Sequence, residues 1–191
     1  MAIELQRYRF TADEYRRMGE AGILPEDARV ELIGGEIIRT SPTGHRHVAG
    51  VNRCNRLFSR AVGERALVSI QNPVDLGPHD EPEPDVSLLR PRADDYAGEL
   101  PGPADVLLLV EVADSSLEYD RQTKLPLYAG ASIPEAWLLN LREGRLEVHR
   151  EPGPEGYLVS RVYRPGERVA ALAFPDLEIA VADLLPPARP S

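Results

Sequence analysis

The chain has 191 residues, 42% of them hydrophobic, and a formal net charge of −9. That is enough for one domain with its own core, and too acidic for broad adhesion to polyanions, so any nucleic-acid contact needs a local basic patch or a divalent cation. A lone cysteine, Cys54, excludes an intramolecular disulfide and a cysteine-type zinc site and reads as a small helix residue.

No apolar run approaches the ~20 residues of a membrane span, and the first ten residues lack an apolar signal core. A soluble, cytoplasmic protein without membrane contact is expected. The 18 prolines cluster at 72–85, 90–103, 151–156 and 186–191, which predicts loops or strand entrances there. The expected organisation is one domain over 1–185 and a short proline-rich tail at 186–191.

"FTADEYRRMGEAG" predicts a short helix, with Thr11 as N-cap and Glu14 completing a capping box. "ARVELIGGEIIRT" predicts two strands joined at Gly34-Gly35, a pair suited to the positive φ of a tight hairpin. "SPTGHRHVAGVNRCNRLFSRAVG" predicts the longest helix. Its apolar stripe is Val48, Val51, Asn55, Phe58 and Val62, widened by Leu57 and Ala61 and stopped by Gly63. Arg46, Arg53, Arg56 and Arg60 fall on the other face, as a solvated row or as guides for a nucleic-acid backbone.

"LVSIQ" and "DVSLLR" predict strands, and "DVLLLVEVA" (105–113) predicts one covered on both faces. Ser115 and Glu118 pattern as a second capping box, opening a helix towards Tyr128 and Ala129 that Pro126 should kink or shorten. "EAWLLN" predicts a core strand. "RLEVHR" and "YLVSRVY" predict an antiparallel hairpin with "EPGPEG" as its loop. "LEIAVADLL" fits a terminal strand or a helix. Alternating strands and helices between terminal hairpins make this an α/β domain with a mixed β-sheet flanked by helices, plus extra antiparallel hairpins.

Asp85 and Glu111 each interrupt an apolar run, and an ionised carboxylate in such surroundings costs several kcal/mol or more unless it is paired, hydrogen-bonded or bound to metal. Alternation places Val110 and Val112 on one face of their strand and Leu109, Glu111 and Ala113 on the other. If Asp85 enters the adjacent strand, both carboxylates converge at one sheet edge. Two such ligands with a main-chain carbonyl and waters suit Mg²⁺ or Mn²⁺. Lys124, which shares a helix face with Tyr128, is the candidate cation to orient a water or stabilise a phosphorane-like transition state.

"PD" at 84–85, "EVA" at 111–113 and "YDRQTKLPLYAGASIPEAWLLN" together resemble the PD-(D/E)XK nuclease superfamily. "ELIGGEI" at 31–37 and "SPTGHRHV" at 41–48 are similar to its Uma branch of restriction-endonuclease candidates. The resemblance spans about residues 10–180 and implies a restriction-endonuclease-like fold acting on DNA as a Mg²⁺-dependent endonuclease. It further implies a metal held by the Asp85 and Glu111 carboxylates and the main-chain carbonyl of Val112. The parent motif's strand lysine is absent, because position 113 is Ala; in this branch the lysine sits on the following helix, here Lys124. Asp114 is a second departure, an extra carboxylate where a proline or small residue is expected.

Glu31 is either a solvent-facing strand residue or a further carboxylate lining the site. His45 and His47 are two apart on a helix and cannot form a chelating pair there. His47 matches a histidine of the resembled branch, placed to contact phosphate or to cap the helix. Asp120, four before Lys124, offers it an exposed surface ion pair instead of a catalytic role. Trp137 and Tyr128 read as core. Two other readings stand: a catalytically inactive nuclease-fold module for binding or assembly, and a structural role for Glu111 in a buried ion pair with Arg142 or Arg29. Cleavage of both strands by a two-fold pair of sites makes a homodimer the expected state.

Overall fold

The computed structural model describes residues 7–25, 27–40 and 44–187. Helix α1 (Ala12–Glu20) starts at Thr11, whose hydroxyl accepts the Glu14 N–H while the Glu14 carboxylate accepts the Thr11 N–H. Both arms of the predicted capping box are present. Strands β1 (Val30–Ile33) and β2 (Glu36–Arg39) pair antiparallel with Ile33 opposite Glu36, which leaves Gly34 and Gly35 as the whole turn. Their φ values of 57° and 75° are the left-handed pair such a turn demands. A Cβ on Gly35 would also stand 2.6 Å from Arg9 Cβ, so glycine is required there twice over.

Helix α2 (His45–Val62) follows, then β3 (Leu67–Ile70), β4 (Val86–Leu89) and β5 (Val106–Ala113). After the crossover come β6 (Glu135–Asn140), β7 (Arg145–Gly153) and β8 (Gly156–Tyr163). These last six form one sheet in the order β3-β4-β5-β6-β7-β8, with every pairing antiparallel except β5 with β6. The sheet is therefore mixed, as predicted.

Strand β5 is covered on both faces, and its alternation sorts the core. Leu108, Val110 and Val112 pack with Phe58, Trp137 and Leu139 on the α2 side. Leu109 and Ala113 pack with Leu125, Tyr128 and Leu138 on the other. Each such buried Val, Leu or Phe side chain contributes about 1.5–3 kcal/mol.

A parallel β5–β6 pair requires a crossover, and the chain between them supplies a helix across the second face. It runs as α3 (Leu117–Tyr119), a π-helical turn (Asp120–Lys124) and α4 (Leu125–Gly130) without a break. Pro126 does not end it, so the predicted shortening is not seen. The wide turn, closed by Leu125 N–H to the Asp120 carbonyl, comes just before it, so the proline falls in the first turn of α4, where a missing donor costs little. The predicted Ser115–Glu118 capping box is not formed. The N-cap is Ser116 in a helical conformation, and its hydroxyl donates to Asp120 Oδ2 at 2.7 Å.

Three more expectations shift. Helix α2 buries Gly50, Val51, Cys54, Phe58 and Val62, while Val48 is 44% exposed and Asn55 only partly covered. The contact face is turned towards its small residues because they let the helix approach β5 closely. Its arginines are not simply a solvated row: Arg46 donates to the Leu141 carbonyl and Arg53 to the Asp183 carbonyl. "EPGPEG" is mostly strand, leaving only residues 154–155 as the turn, because β7 beyond Arg150 has lost β6 on one side and tolerates Pro152. Strands β9 (Arg168–Val169) and β10 (Ile179–Ala180) pair, and α5 (Val181–Leu184) packs on α2, so "LEIAVADLL" is a strand and then a helical turn. Residues 41–43 of the predicted helix segment and 188–191 of the predicted tail lie outside the described residues. No helix among the described residues is long and apolar enough to cross a membrane.

Candidate active site

In the β4–β5 register Val86 stands opposite Val110, so one step further places Asp85 across from Glu111. Glu111 belongs to the face that the crossover helix covers, and the π-turn points Lys124 at it. The Lys124 ammonium lies 3.2 Å from Glu111 Oε1 and 3.1 Å from Glu31 Oε2, and it donates to the Glu83 carbonyl at 3.3 Å. One α-helical turn on, the Tyr128 hydroxyl donates to the same Glu111 oxygen. Glu31, from β1, also accepts the Tyr119 hydroxyl at 3.0 Å and the Glu83 N–H at 3.1 Å.

Asp85 is held from the other side. Its Oδ2 accepts the Val112 N–H at 2.8 Å and contacts His47 Nε2 at 3.0 Å, and its Oδ1 accepts Gln71 Nε2 at 3.1 Å. His47 reaches it from the first turn of α2, while its Nδ1 is buried without a partner among the described residues. The groups enclose a cavity of about 480 Å³ between the β1–β2 hairpin, the ends of β4 and β5, and the turn from Asp114 to Asp120.

The electrostatics show too little positive charge. Burial, reinforced by Asp120 and Asp85, raises the Glu111 carboxyl well above its ordinary range despite Lys124. Burial likewise pushes Asp120 up to about 6, against the opposing Ser116 hydrogen bond and Lys124 charge. Burial opposes the Lys124 charge, but Glu111, Glu31, Asp120 and Asp85 outweigh it and the amine stays an ammonium. Asp85 is also desolvated, yet its His47 and Val112 contacts hold its carboxyl below its usual value. One ammonium thus serves four carboxylates, and a divalent cation suits that deficit.

The donor chemistry fits such an ion: Asp85 and Glu111 are hard oxygen ligands on neighbouring strands. Among the described residues no three His, Cys, Asp or Glu side chains close on a common point, so an ion held there would need main-chain and solvent oxygens as further ligands.

Asp85, Glu111, Lys124, Glu31 and His47 all line this one cavity, and Val112 meets it through its N–H bonded to Asp85. Three alternatives left open by the sequence are decided by the geometry. Glu31 is fully buried rather than solvent-facing, because its face of the hairpin is turned onto the crossover helix. The partner of Glu111 is Lys124 rather than Arg142 or Arg29. Asp120 and Lys124 form no exposed surface pair, since both are buried where the π-turn presses them against the sheet. His45 is exposed and forms no site with His47, as the helical spacing requires, whereas His47 meets Asp85 rather than serving as a cap. Asp114 lines the cavity, half-buried. Tyr119 and Gln71 were missed: neither follows an apolar periodicity, and Gln71 is aimed by an unusual φ of 51° that sequence does not reveal.

A profile of the Uma2 family, whose description reads "Putative restriction endonuclease", matches residues 12–182. The chain belongs to the Uma2 family. A solved relative of this Uma2 chain is the crystal structure of "a putative nuclease belonging to DUF820" from Anabaena variabilis, 21% identical, with a TM-score of 0.70 over 92% of this chain and 97% of the other. At that identity the likeness establishes the shared fold, a restriction-endonuclease-like mixed sheet flanked by helices. Comparison with curated proteins finds no match.

Proposed function

We propose that this Uma2 protein is a metal-dependent endonuclease that hydrolyses DNA phosphodiester bonds. The observation that carries the reading is the Lys124 ammonium seated 3.2 Å from Glu111 at the strand end facing Asp85. Asp85 and Glu111, with the Val112 carbonyl, are the residues that would hold Mg²⁺ or Mn²⁺, and such an ion supplies a bound water of lowered pKa and charge neutralisation at the phosphate.

The chain's own groups do the rest. Lys124 orients the attacking water and offsets charge developing on the phosphate oxygens. Glu31 holds the lysine from the hairpin side. Tyr128 holds the Glu111 carboxylate by hydrogen bonding, and His47 and Gln71 orient Asp85.

Glu111→Gln keeps the acceptor for Tyr128 and removes the charge. With the fold intact by circular dichroism, Mn²⁺-dependent cleavage of DNA should disappear; cleavage equal to that of the parent discards the assignment.

A second reading, an inactive binding or assembly module, draws on Ala113 buried at the motif's lysine position and on Asp85 already engaged by three protein groups. Its signature is the absence of both Mn²⁺ binding by calorimetry and cleavage of any nucleic acid.

A further inference from the structure

The groups at the floor of the cavity are closed off from bulk solvent: Glu31 is 0% exposed, Glu111 3%, Lys124 5% and Asp85 9%. A phosphodiester reaches them only by descending into a space of about 480 Å³. That lies within the ~300–1,000 Å³ typical of pockets that enclose a small molecule, so it admits about one nucleotide unit. A B-form duplex does not fit this description. Its phosphates lie on the rims of grooves roughly 12 and 6 Å wide, and the paired strand moves with them. A strand with no paired partner can bend its backbone into such a recess, whereas a paired one must carry its complement along.

The mouth, unlike the floor, carries arginines, set beside the exposed Glu83 and the half-buried Asp114. Arg29, just before β1, and Arg39, the last residue of β2, are both exposed and both line the cavity at the open end of the hairpin. The hairpin ladder continues to this end through the Thr40 N–H donated to the Arg29 carbonyl at 2.9 Å. Its other end is tied to the body by the Leu32–Glu81 bridge. Arg39 makes no hydrogen bond or ion pair among the described residues. On a chain of net charge −9, Arg39 beside the entrance is a local point of attachment for a backbone phosphate next to the buried one.

We infer that the cavity takes one unpaired DNA strand, with the scissile phosphate at the floor and Arg39 engaging a neighbouring phosphate at the hairpin mouth. This rests on the nuclease reading for its chemistry, though not for its binding geometry.

The test uses one labelled oligonucleotide sequence as a single strand, as the flap of a duplex, and as a blunt duplex. Binding is read by fluorescence anisotropy with Ca²⁺ and cleavage on gels with Mn²⁺. Single strand and flap should be bound and cut at least about tenfold better than duplex, whose strands must first part. Arg39→Ala should weaken single-strand binding and reduce its log–log salt slope by about 0.7, one phosphate contact on a single strand. Duplex handled as well as single strand overturns the inference and leaves the nuclease reading standing. Failure to bind either, or an unchanged salt slope in Arg39→Ala, also overturns it. Arg39-dependent preference for the single strand without any cleavage upholds the inference and removes the nuclease reading.

Discussion

Lys124 Nζ and Glu111 Oε1 meet at 3.2 Å with both side chains buried, one from the crossover helix and the other from the strand that precedes it. Lys124 is also the ammonium that faces Glu31, so its loss strands two buried carboxylates together. Lys124→Met should destabilise the protein by about 3–5 kcal/mol, the cost of breaking a buried ion pair by removing one partner. Urea unfolding in metal-free buffer checks this. An unchanged midpoint would mean that the carboxylates are already neutral without the lysine.

Gly50 lets α2 lie against β5. A Cβ there would stand 2.7 Å from Val112 Cγ1, and a β-branched valine in a packed strand has little freedom to yield. Gly50→Ala should cost about 1–3 kcal/mol through overpacking, despite the better helix propensity of alanine. Since the helix must back away from the strand, the His47–Asp85 contact should lengthen, which a crystal structure of the variant would show. A thermal midpoint equal to or above the parent's would contradict this account.

Cys54 is fully buried in the same interface, and burial, with the Asp85 charge nearby, pushes its thiol up to about 12. At pH 8 the thiolate fraction should be roughly one in 10⁴, and the sulfur is inaccessible besides. A disulfide exchange reagent should leave the native protein unlabelled over an hour and label it stoichiometrically in guanidinium. Rapid labelling of the native state would show that α2 opens readily from the sheet.

Glu147 on β7 accepts hydrogen bonds from Arg121, Asn140 and Arg145. Burial alone would raise its carboxyl, but these partners hold it below its ordinary value. A depressed folded-state pKa contributes stability that is present above the unfolded carboxylate pKa and is lost as pH falls through the folded one. Glu147→Gln should therefore be less stable than the parent at pH 7, by about 1–3 kcal/mol for the charged hydrogen bonds given up. The gap should narrow as the pH drops below about 4.5. Denaturation curves at several pH values test this, and a gap that widens in acid would reverse the assignment.

The strands were legible in sequence because their determinants are local. The glycine pair at 34–35 dictates its hairpin, the alternation in "LLLVEVA" separates Glu111 from Val110 and Val112, and Thr11 with Glu14 writes a helix start. The candidate site was half legible for the same reason. Asp85 and Glu111 stand out as charges beside apolar runs, where an ionised group demands an explanation.

What only the tertiary structure decided is where side chains without a local signature end up. A helix offers several faces, and its periodicity does not say which residues a neighbour will accept. Helix α2 turned Cys54 inward rather than Val48 because small residues allow a closer approach to β5. Lys124 and Asp120 look like an ordinary surface pair until a π-turn ahead of Pro126 and the crossover over β5 bury both. Glu31 and Tyr119 are 88 residues apart, and they meet only because the hairpin folds onto that crossover. Long-range charge pairing leaves no periodic trace in sequence, since its partners are chosen by packing, and packing belongs to the whole chain at once.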